Sequence, residues 1–517
     1  MEIKKEDDMK YERTKNTVRG TAFGILNRMI SLLIPFLVRT ILIKVLGIEY
    51  LGLGSLFSSI LGVLSLAELG IGSAIVFALY RAIADEDGKT ICALMAFYKK
   101  AYHTVGWIVL ALGLLLIPLL PILCPQVLPD GMNIYLLYFI YLANTVLSYF
   151  MFAYKNCLLT AFQRIDISSN VGSCTNLVLY LFQILGLLLT QNYYYFVIFI
   201  PIFSIIQNIV TAYYVTKVYP QYLPHGKLEP ALHDIIFRKI KALFLYRIGS
   251  VVLTSVDSIV ISVFLGLSVL GQYNSYYYVV YTLFGFLQVY YNAITPGIGN
   301  SMSTETIEKN YLDFNRLNFL QSWVIGWCSI CLVCLFQPFI GLWIGSEYLF
   351  SERVIFCWGV YFYLWKMMDV VNIYKEASGM WDYDKYRQIF ASGVNLFLNI
   401  SLVQKIGIYG VLLSTVISIA FITFPWSTAV LFKYYFKMGM GEYFKKYFIR
   451  AGVTIIVCLL TYCVCELFFS YISVWAFIGR GLICLIFPNI LFWGVGHLSK
   501  DYTDTRQWIV GKVKAVF

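Results

Sequence analysis

Charged residues are scarce in this chain. Only 13% of its 517 residues are Asp, Glu, Lys or Arg, against roughly 25% in a typical soluble protein. Hydrophobic residues make up 60% of the sequence, which is more than the interior of a water-soluble fold can bury. The composition therefore excludes soluble, disordered, fibrous and small disulfide-rich proteins and indicates a polytopic membrane protein.

Motifs of common enzymes are also missing. The sequence has no GxxxxGK[ST] pattern to hold the phosphates of ATP, and it has neither HExxH nor GxSxG. Its four histidines, His103, His225, His233 and His497, do not pair at metal-ligand spacing. We therefore expect no enzyme activity, no cofactor and no metal centre. If the protein transports a substrate uphill, the energy would have to come from an ion gradient or from later consumption of the product, and not from ATP.

Long apolar runs are abundant and predict the fold. A helix needs about 20 mostly apolar residues to cross the hydrocarbon core, and the runs are too long for the strands of a transmembrane barrel. The sequence thus predicts an all-α protein with fourteen transmembrane helices. They are 20–46, 51–80, 103–123, 133–154, 169–190, 194–216, 242–265, 271–299, 319–345, 354–374, 388–404, 408–432, 450–469 and 474–497.

The 39 basic residues predict the orientation. With the N-terminus inside, 31 lie in cytoplasmic segments, five lie within spans, and only Lys44, Arg353 and Lys405 lie in outer loops. Cytoplasmic loops are enriched in Lys and Arg, so we place both termini in the cytoplasm. The net charge of +11 is thereby explained by topology and does not indicate nucleic acid.

An internal repeat relates the two halves. The turn Leu46 to Gly52 and the turn Leu265 to Gly271 both read LGxxxLG, at an offset of 219. The same offset carries Arg28 onto Arg247 and Asn176 onto Asn395. Two parallel six-helix lobes explain all three matches, and transporters built this way place the substrate path at the lobe interface.

This organisation gives six predicted segments. They are a cytoplasmic N-terminal segment (1–19), an N-lobe (20–216), a basic cytoplasmic linker (217–241), a C-lobe (242–432), a C-terminal helix pair (450–497) and a cytoplasmic tail (498–517).

Ionisable residues at membrane depth are costly and mark candidate sites. Arg28 and Arg247 are deep and have no acid at i±3 or i±4, so we predict that both line an anionic substrate path, because guanidinium suits phosphate. The other candidates for the substrate path are Arg39, Asn292 and Lys366, and the candidates for ion coupling are Glu68, Asp257 and Asp369.

Structural alternatives stay open for most of these residues. Arg39 would also fit as a snorkelling side chain, and Lys366 with Asp369 as a self-satisfied i,i+3 pair. Asp257 would fit as the partner of an arginine, and Glu68 as a cap or pair at the inner face. Arg480 is expected to be an interfacial anchor.

Cysteines are predicted to be ordinary core residues. Three of the twelve, Cys328, Cys331 and Cys334, are spaced like ligands, but they fall mid-helix with no His, Asp or Glu nearby. We therefore interpret them as small buried apolar side chains.

Several motifs resemble one family. They are the LGxxxLG turn into the second span, the segment Glu68-Leu69-Gly70-Ile71-Gly72, and GVNLFLNI from Gly393 to Ile400. Together they resemble bacterial oligosaccharide repeat-unit flippases of O-antigen and capsule synthesis, within the multidrug/oligosaccharidyl-lipid/polysaccharide exporter superfamily. The resemblance covers roughly residues 15–435.

The resemblance implies a V-shaped bundle with a cationic lumen. It would flip undecaprenyl-diphosphate-linked oligosaccharide to the outer leaflet of the bacterial cytoplasmic membrane by alternating access. By likeness to lipid II flippases, the last two helices would hold the polyprenyl tail. The expected partners are this lipid-linked substrate and the bilayer, with a polysaccharide polymerase and glycosyltransferases as candidate protein partners. We expect a monomer and no nucleic acid.

Three rival functions remain. A cation-coupled multidrug exporter of the same fold would favour acids over arginines in its lumen. A membrane polymerase or glycosyltransferase would need a larger outer loop than residues 123–133 or 345–353 provide. A scaffold without transport activity would leave the buried arginines unexplained.

Overall fold

A computed structural model of the chain describes residues 33–68, 70–125, 128–378, 380–497 and 499–516. Nearly all of these residues are helical, and none of them lies in a β-strand. Within this described part, nine helices are long and apolar enough to cross a membrane, or ten if one bent pair is counted as a span. The predicted all-α, multi-pass membrane fold is confirmed, while the count of fourteen spans stays a prediction.

The chain divides into two compact units, Met1–Phe244 and Leu245–Phe517. The described helices of the first unit are α1 (residues 33–45), α2 (Ile48–Leu64), α3 (Ile71–Ala84), α4 (Gly88–Leu116), α5 (Leu120–Leu123), α6 (Ile134–Phe150), α7 (Asn156–Ala161), α8 (Ile165–Thr190) and α9 (Tyr193–Val218). The next helix, α10 (Pro230–Leu265), contains the boundary between the units.

The second unit continues with eleven further described helices. They are α11 (Leu267–Thr304), α12 (Ile307–Trp343), α13 (Glu352–Met367), α14 (Asp369–Ala377), α15 (Trp381–Asp384), α16 (Arg387–Ile406), α17 (Ile408–Ser418), α18 (Phe424–Leu431), α19 (Gly441–Phe468), α20 (Val474–Gly496) and α21 (Lys500–Val516). Five-residue π-helical turns follow α17 and α18.

The two LGxxxLG turns have the same backbone geometry. Gly47 has φ 119° and ψ 167°, and Gly266 has φ 94° and ψ 175°. In each turn the glycine N–H donates to the carbonyl five residues earlier, on Leu42 and Ile261. Positive φ favours glycine because it has no Cβ. The repeated sequence therefore gives the same turn before α2 and before α11.

Two predicted boundaries differ from the structure. The second span, predicted as continuous over 51–80, is broken by a 3₁₀ turn at Ser65–Glu68 and by Gly70 in the left-handed conformation. The predicted linker 217–241 is helical from Pro230 onward. Proline is favoured in the first turn of a helix, where its missing N–H is not needed, so the prolines of this segment do not all mark loop.

The terminal pair α19–α20 packs against α12. Trp323 and Trp327 on α12 donate their indole N–H groups to the Asn489 side chain at 2.9 Å and the Cys484 carbonyl at 2.8 Å. Both tryptophans pack against one apolar core that includes Cys334, Val457 and Phe492. The pair is thus an integral part of the second unit.

Candidate functional site

The predicted arginine pair lies mostly outside what the structure describes. Arg28 precedes the described residues, and Arg247 lies in α10 with its side chain outside them. Their place in an anion path therefore stays a prediction. Of the other predicted residues, the acids Glu68, Asp257 and Asp369 have well-defined surroundings.

Asp257 lies at the centre of a buried polar cluster. Its Oδ1 accepts a hydrogen bond from Asn399 Nδ2 at 2.6 Å. Its Oδ2 accepts from Thr415 Oγ1 at 3.1 Å and from the Tyr273 hydroxyl at 3.5 Å. The side chain is only 6% exposed. Each of these described partners is neutral, so they do not include the arginine that one alternative expected.

A second layer of amides and hydroxyls surrounds this carboxylate. Asn395 and Asn399 lie one turn apart on the buried stripe of α16. Asn399 donates to Asn395 Oδ1 at 3.2 Å, and Ser414 donates to Asn399 Oδ1 at 2.6 Å. The hydroxyl oxygens of Ser414 and Thr415 also lie 2.7 Å and 3.3 Å from the Val411 carbonyl oxygen, which each O–H can reach as an alternative acceptor. Three helices, α10, α16 and α17, therefore deliver oxygen atoms to one place.

Close helix packing positions these oxygen atoms. A Cβ at Gly249 on α10 would collide with the backbone of Gln388, and one at Gly410 on α17 would lie 2.6 Å from the carbonyl carbon of Leu402. The absence of these side chains lets α10 and α17 approach α16. Ser392 then donates to the Gly249 carbonyl at 2.6 Å, which fixes α16 against α10.

The chemistry of the cluster suits a small hard cation. Carboxylate, amide, hydroxyl and carbonyl oxygens are the ligands such ions prefer. Asp257 is the one charged group among these neutral partners, so its negative charge would balance one positive charge. Na⁺ and a proton each carry one. A buried ionisable group within a membrane span is costly unless it has a role. Asn399 presents its Nδ2 to Asp257 in this structure, so the ion-coupling function of Asp257 stays a prediction.

Glu68, a candidate acid in the first unit, also accepts hydrogen bonds from hydroxyl groups. It lies in the 3₁₀ turn that breaks the second predicted span. Its Oε1 accepts from the Tyr102 hydroxyl at 2.5 Å and its Oε2 from the Tyr149 hydroxyl at 2.8 Å. Tyr98 in turn donates to Tyr102 at 2.9 Å. Broken helices with polar groups at the break are typical of transporter binding sites.

Lys366 and Asp369 are paired with each other. Lys366 Nζ lies 2.8 Å from Asp369 Oδ2, and the lysine side chain is only 4% exposed. The ammonium group also lies 4.4 Å from the centre of the Phe284 ring and 5.6 Å from that of Tyr291. This arrangement fits the alternative of a self-satisfied pair, so a direct role in binding substrate stays a prediction.

The remaining predicted residues have varied surroundings. Arg39 is half-buried on α1, and Asn292 is exposed on α11, where it accepts from Gln288 Nε2 at 2.9 Å.

Arg480 is buried instead of lying exposed at an interface. Its guanidinium donates to the Phe469 carbonyl and pairs with Glu466 at 2.8 Å, so it ties α20 to the end of α19.

One buried charge cluster was not predicted from the sequence. Asp384 accepts from Lys375 Nζ and, at 2.7 Å, from Arg387 Nε, and all three side chains are almost fully buried. Lys375 also donates to Ser427 Oγ at 3.1 Å. The polar stretch 375–387 separates two apolar runs and therefore predicted a loop. The signal that could have found the cluster is the acid at i−3 to Arg387.

An apolar cavity of about 400 Å³ opens beside the terminal helix pair. Its walls come from α12, α13 and α19, with Val333, Val360, Phe448 and Leu459 among the lining residues. Such a lining suits a hydrocarbon chain.

The sequence and the fold were compared with those of known proteins. No protein-family model matches the sequence, and no curated protein matches it. Among solved structures, the lipid II flippase MurJ in an inward closed conformation is 15% identical, with a TM-score of 0.63, and the match covers 92% of this chain and 98% of that chain.

Two further structures belong to the MOP superfamily. An inward-facing multidrug resistance MATE family transporter is 16% identical, with a TM-score of 0.59, over 79% of this chain and 96% of its own. A transporter from Pyrococcus furiosus is 16% identical, with a TM-score of 0.50, over 80% of this chain and 95% of its own. At these identities the likeness shows the fold alone: this chain has the membrane-transporter fold that MurJ and MATE proteins share.

Proposed function

We propose that this chain is a cation-coupled flippase for lipid-linked oligosaccharides. It would move undecaprenyl-diphosphate-linked repeat units from the inner to the outer leaflet of a bacterial cytoplasmic membrane by alternating access. It would catalyse no covalent step and consume no ATP. The observation that carries the proposal is the buried polar cluster around Asp257, because a cation bound there would couple transport to an ion gradient.

Cation binding at Asp257 would couple to movement through the helices that supply the oxygens. Asp257 lies on α10, while Asn395 and Asn399 lie on α16 and Thr415 lies on α17. A bound cation would draw these oxygens together and favour the conformation in which the three helices are closely packed. A ligand shifts a conformational equilibrium only through such differential contacts.

Two observations favour a lipid-linked substrate. The match to the lipid II flippase extends over 92% of this chain, while the MATE structures cover 78–79% of it. The apolar cavity beside α19 offers a place for a polyprenyl chain, away from the polar cluster around Asp257. The predicted Arg28 and Arg247 would then contact the diphosphate, since guanidinium binds phosphate oxygens in pairs.

A multidrug exporter of the same fold is the second candidate. Glu68 has tyrosine hydroxyls as its described partners, so its negative charge would suit a cationic drug. The MATE transporter also matches 96% of its own length. Both candidates use a cation at Asp257, and they differ in the sign of the substrate charge.

Reconstitution in liposomes tests the proposal. Purified protein would be incorporated with a fluorescent undecaprenyl-diphosphate disaccharide, and translocation would be measured as protection of the fluorophore from an added quencher. We expect translocation that depends on a sodium or proton gradient, is lost in Asp257→Asn and persists in Asp234→Asn. Asp234 is a matched control because it lies on the same helix and is exposed. Transport of a cationic dye, with no lipid translocation, would favour the exporter instead.

A further inference from the structure

Three cysteines from three helices meet in the core of the second unit. Cys334 lies on α12, Cys465 on α19 and Cys484 on α20, and all three are at most 1% exposed. Their Sγ atoms all lie within 4.8 Å of one another. Cys334 is far in sequence from the other two, and its spacing had grouped it with Cys328 and Cys331 instead. We propose that Cys334, Cys465 and Cys484 form a binding site for one soft metal ion, Cu(I) or Zn(II).

The separation of the sulfur atoms fits a trigonal thiolate site. A metal–sulfur bond of about 2.3 Å places the three sulfurs of a planar site about 4.0 Å apart. The side chains therefore need to close by less than about 1 Å to bind an ion. A disulfide would require a much shorter separation of about 2.05 Å and would leave one thiol over.

The donor set selects the class of metal. Thiolates favour Cu(I) and Zn(II), whereas Na⁺, Mg²⁺ and Ca²⁺ prefer oxygen. Three thiols lose three protons on binding, so the complex would carry one net negative charge with Zn(II) and two with Cu(I). Arg480 lies beside the site, since its guanidinium donates to the Cys334 carbonyl at 3.4 Å. Its positive charge offsets part of this negative charge in a poorly solvated region.

The proposed ligand Cys465 lies near the end of its helix, where an ion would enter. Cys465 is three residues before the end of α19, which places it within about 5 Å of that end. The next residue, Glu466, has a side chain that is 39% exposed and pairs with Arg480. An ion would enter past this carboxylate and pass to the thiols.

A bound ion would cross-link three helices through its coordination bonds. The ion would fix α19 and α20 to α12, in addition to the tryptophan hydrogen bonds. The site is separate from the oxygen cluster around Asp257 and does not depend on the proposed transport function.

Metal analysis of the full-length protein tests the proposal. Protein purified under reducing conditions without chelators is expected to contain about one equivalent of copper or zinc by mass spectrometry. After removal of that ion, Cd²⁺ titration should give a saturating thiolate charge-transfer band at one equivalent. Cys465→Ser should weaken Cd²⁺ binding at least ~100-fold, since loss of a direct ligand exceeds the effect of outer-shell changes. Cys463→Ser is the matched control, being exposed on the same helix.

Several outcomes would overturn the proposal. The wild-type protein could show no bound metal and no saturating Cd²⁺ band, a result that needs no variant to fold. The two serine variants could bind Cd²⁺ equally well, which would place the ion elsewhere. Peptide mapping without reduction could find a disulfide between two of the three cysteines. Each of these results would leave the cysteines as core residues or a redox pair.

Discussion

Replacing Asp257 by asparagine removes the single charge of the proposed cation site while keeping its shape. In the wild type, Asn399 Nδ2 and Thr415 Oγ1 both donate to this carboxylate. An asparagine can keep one oxygen toward Asn399 and turn its amide toward Thr415. We therefore expect the fold to be retained, at a cost of about 1–3 kcal/mol for imperfect hydrogen bonds.

The effect on cation binding should be much larger. Two unit charges 4 Å apart attract by about 4 kcal/mol at the effective dielectric constant of about 20 that suits protein sites. Losing this attraction weakens binding roughly 1000-fold, since each 1.4 kcal/mol is a factor of ten. The remaining amide and hydroxyl oxygens would hold Na⁺ too weakly to be occupied at ordinary salt concentrations.

Thermal stability measured against sodium concentration tests this expectation. Above the dissociation constant, each tenfold rise in Na⁺ should stabilise the wild type by about 1.4 kcal/mol, because only the folded protein binds the ion. KCl or choline chloride at equal ionic strength should not. In Asp257→Asn the sodium curve should be flat over the same range. Equal sodium-dependent stabilisation of variant and wild type would refute the assignment of the cation to Asp257.

Three further predictions concern other charges. Arg28→Ala and Arg247→Ala should each abolish lipid translocation in the liposome assay while leaving membrane insertion intact, and normal translocation by both would remove them from the anion path. Asp384→Asn should lower the free energy of unfolding by about 3–5 kcal/mol in denaturant titrations, because it leaves two buried cations without their acid; a loss below about 1 kcal/mol would contradict this. Asp501→Asn should detach α21 at pH 7, seen as faster hydrogen exchange along that helix.

The last of these predictions has a definite dependence on pH. Burial alone would raise the pKa of Asp501, but hydrogen bonds and charges from Arg450 and Lys446 outweigh it and hold this pKa below its ordinary value. A lowered folded-state pKa means that the attachment is fully present above the ordinary value of about 4 and is lost only as pH falls below it. In the wild type, exchange in α21 corrected for intrinsic rates should therefore stay constant from pH 8 to about pH 5. An increase near neutrality would contradict this account.

Matched controls separate charge effects from general damage. Arg238→Ala changes an exposed arginine on the same helix as Arg247, and Asp85→Asn changes an exposed acid whose partner Arg81 is also exposed. Both should behave like the wild type, because exposed pairs contribute about 0–1 kcal/mol.

The fold class could be predicted because its signals are local. Span length and apolarity depend on neighbouring residues, and most predicted runs lie within described helices, although α4, α10 and α12 each begin more than ten residues earlier than predicted. The LGxxxLG turns were informative for the same reason, since a glycine with positive φ and its hydrogen bond are set within a few residues. The break after Glu68 was missed because Ser65–Glu68 is too short to lower the hydropathy of the surrounding run.

The candidate site was only partly predictable. Asp257 was found because a carboxylate inside an apolar run stands out. Its partners Asn399 and Thr415 lie 142 and 158 positions away, so packing between helices, and not spacing, brings them together. The repeat also placed Asn176 at the position equivalent to Asn395, yet Asn176 is exposed and Asn395 is fully buried. Equivalent positions in a repeat need not have equivalent surroundings.

The cysteines illustrate the same limit. Spacing groups Cys328, Cys331 and Cys334 because they lie on one helix, but residues six apart on a helix point about 120° away from each other on different faces. The structure groups Cys334 with Cys465 and Cys484. Helix-to-helix packing decides which thiols meet, and a sequence without its tertiary contacts does not reveal it.

Lipid analysis of cells lacking this gene tests the central claim most directly. Membrane lipids would be extracted and polyprenyl-diphosphate oligosaccharides measured by mass spectrometry. We predict accumulation of one completed repeat unit, reversed by the wild-type gene and by Asp234→Asn but not by Asp257→Asn. A normal lipid pool together with intact surface polysaccharide would contradict the proposed flippase function.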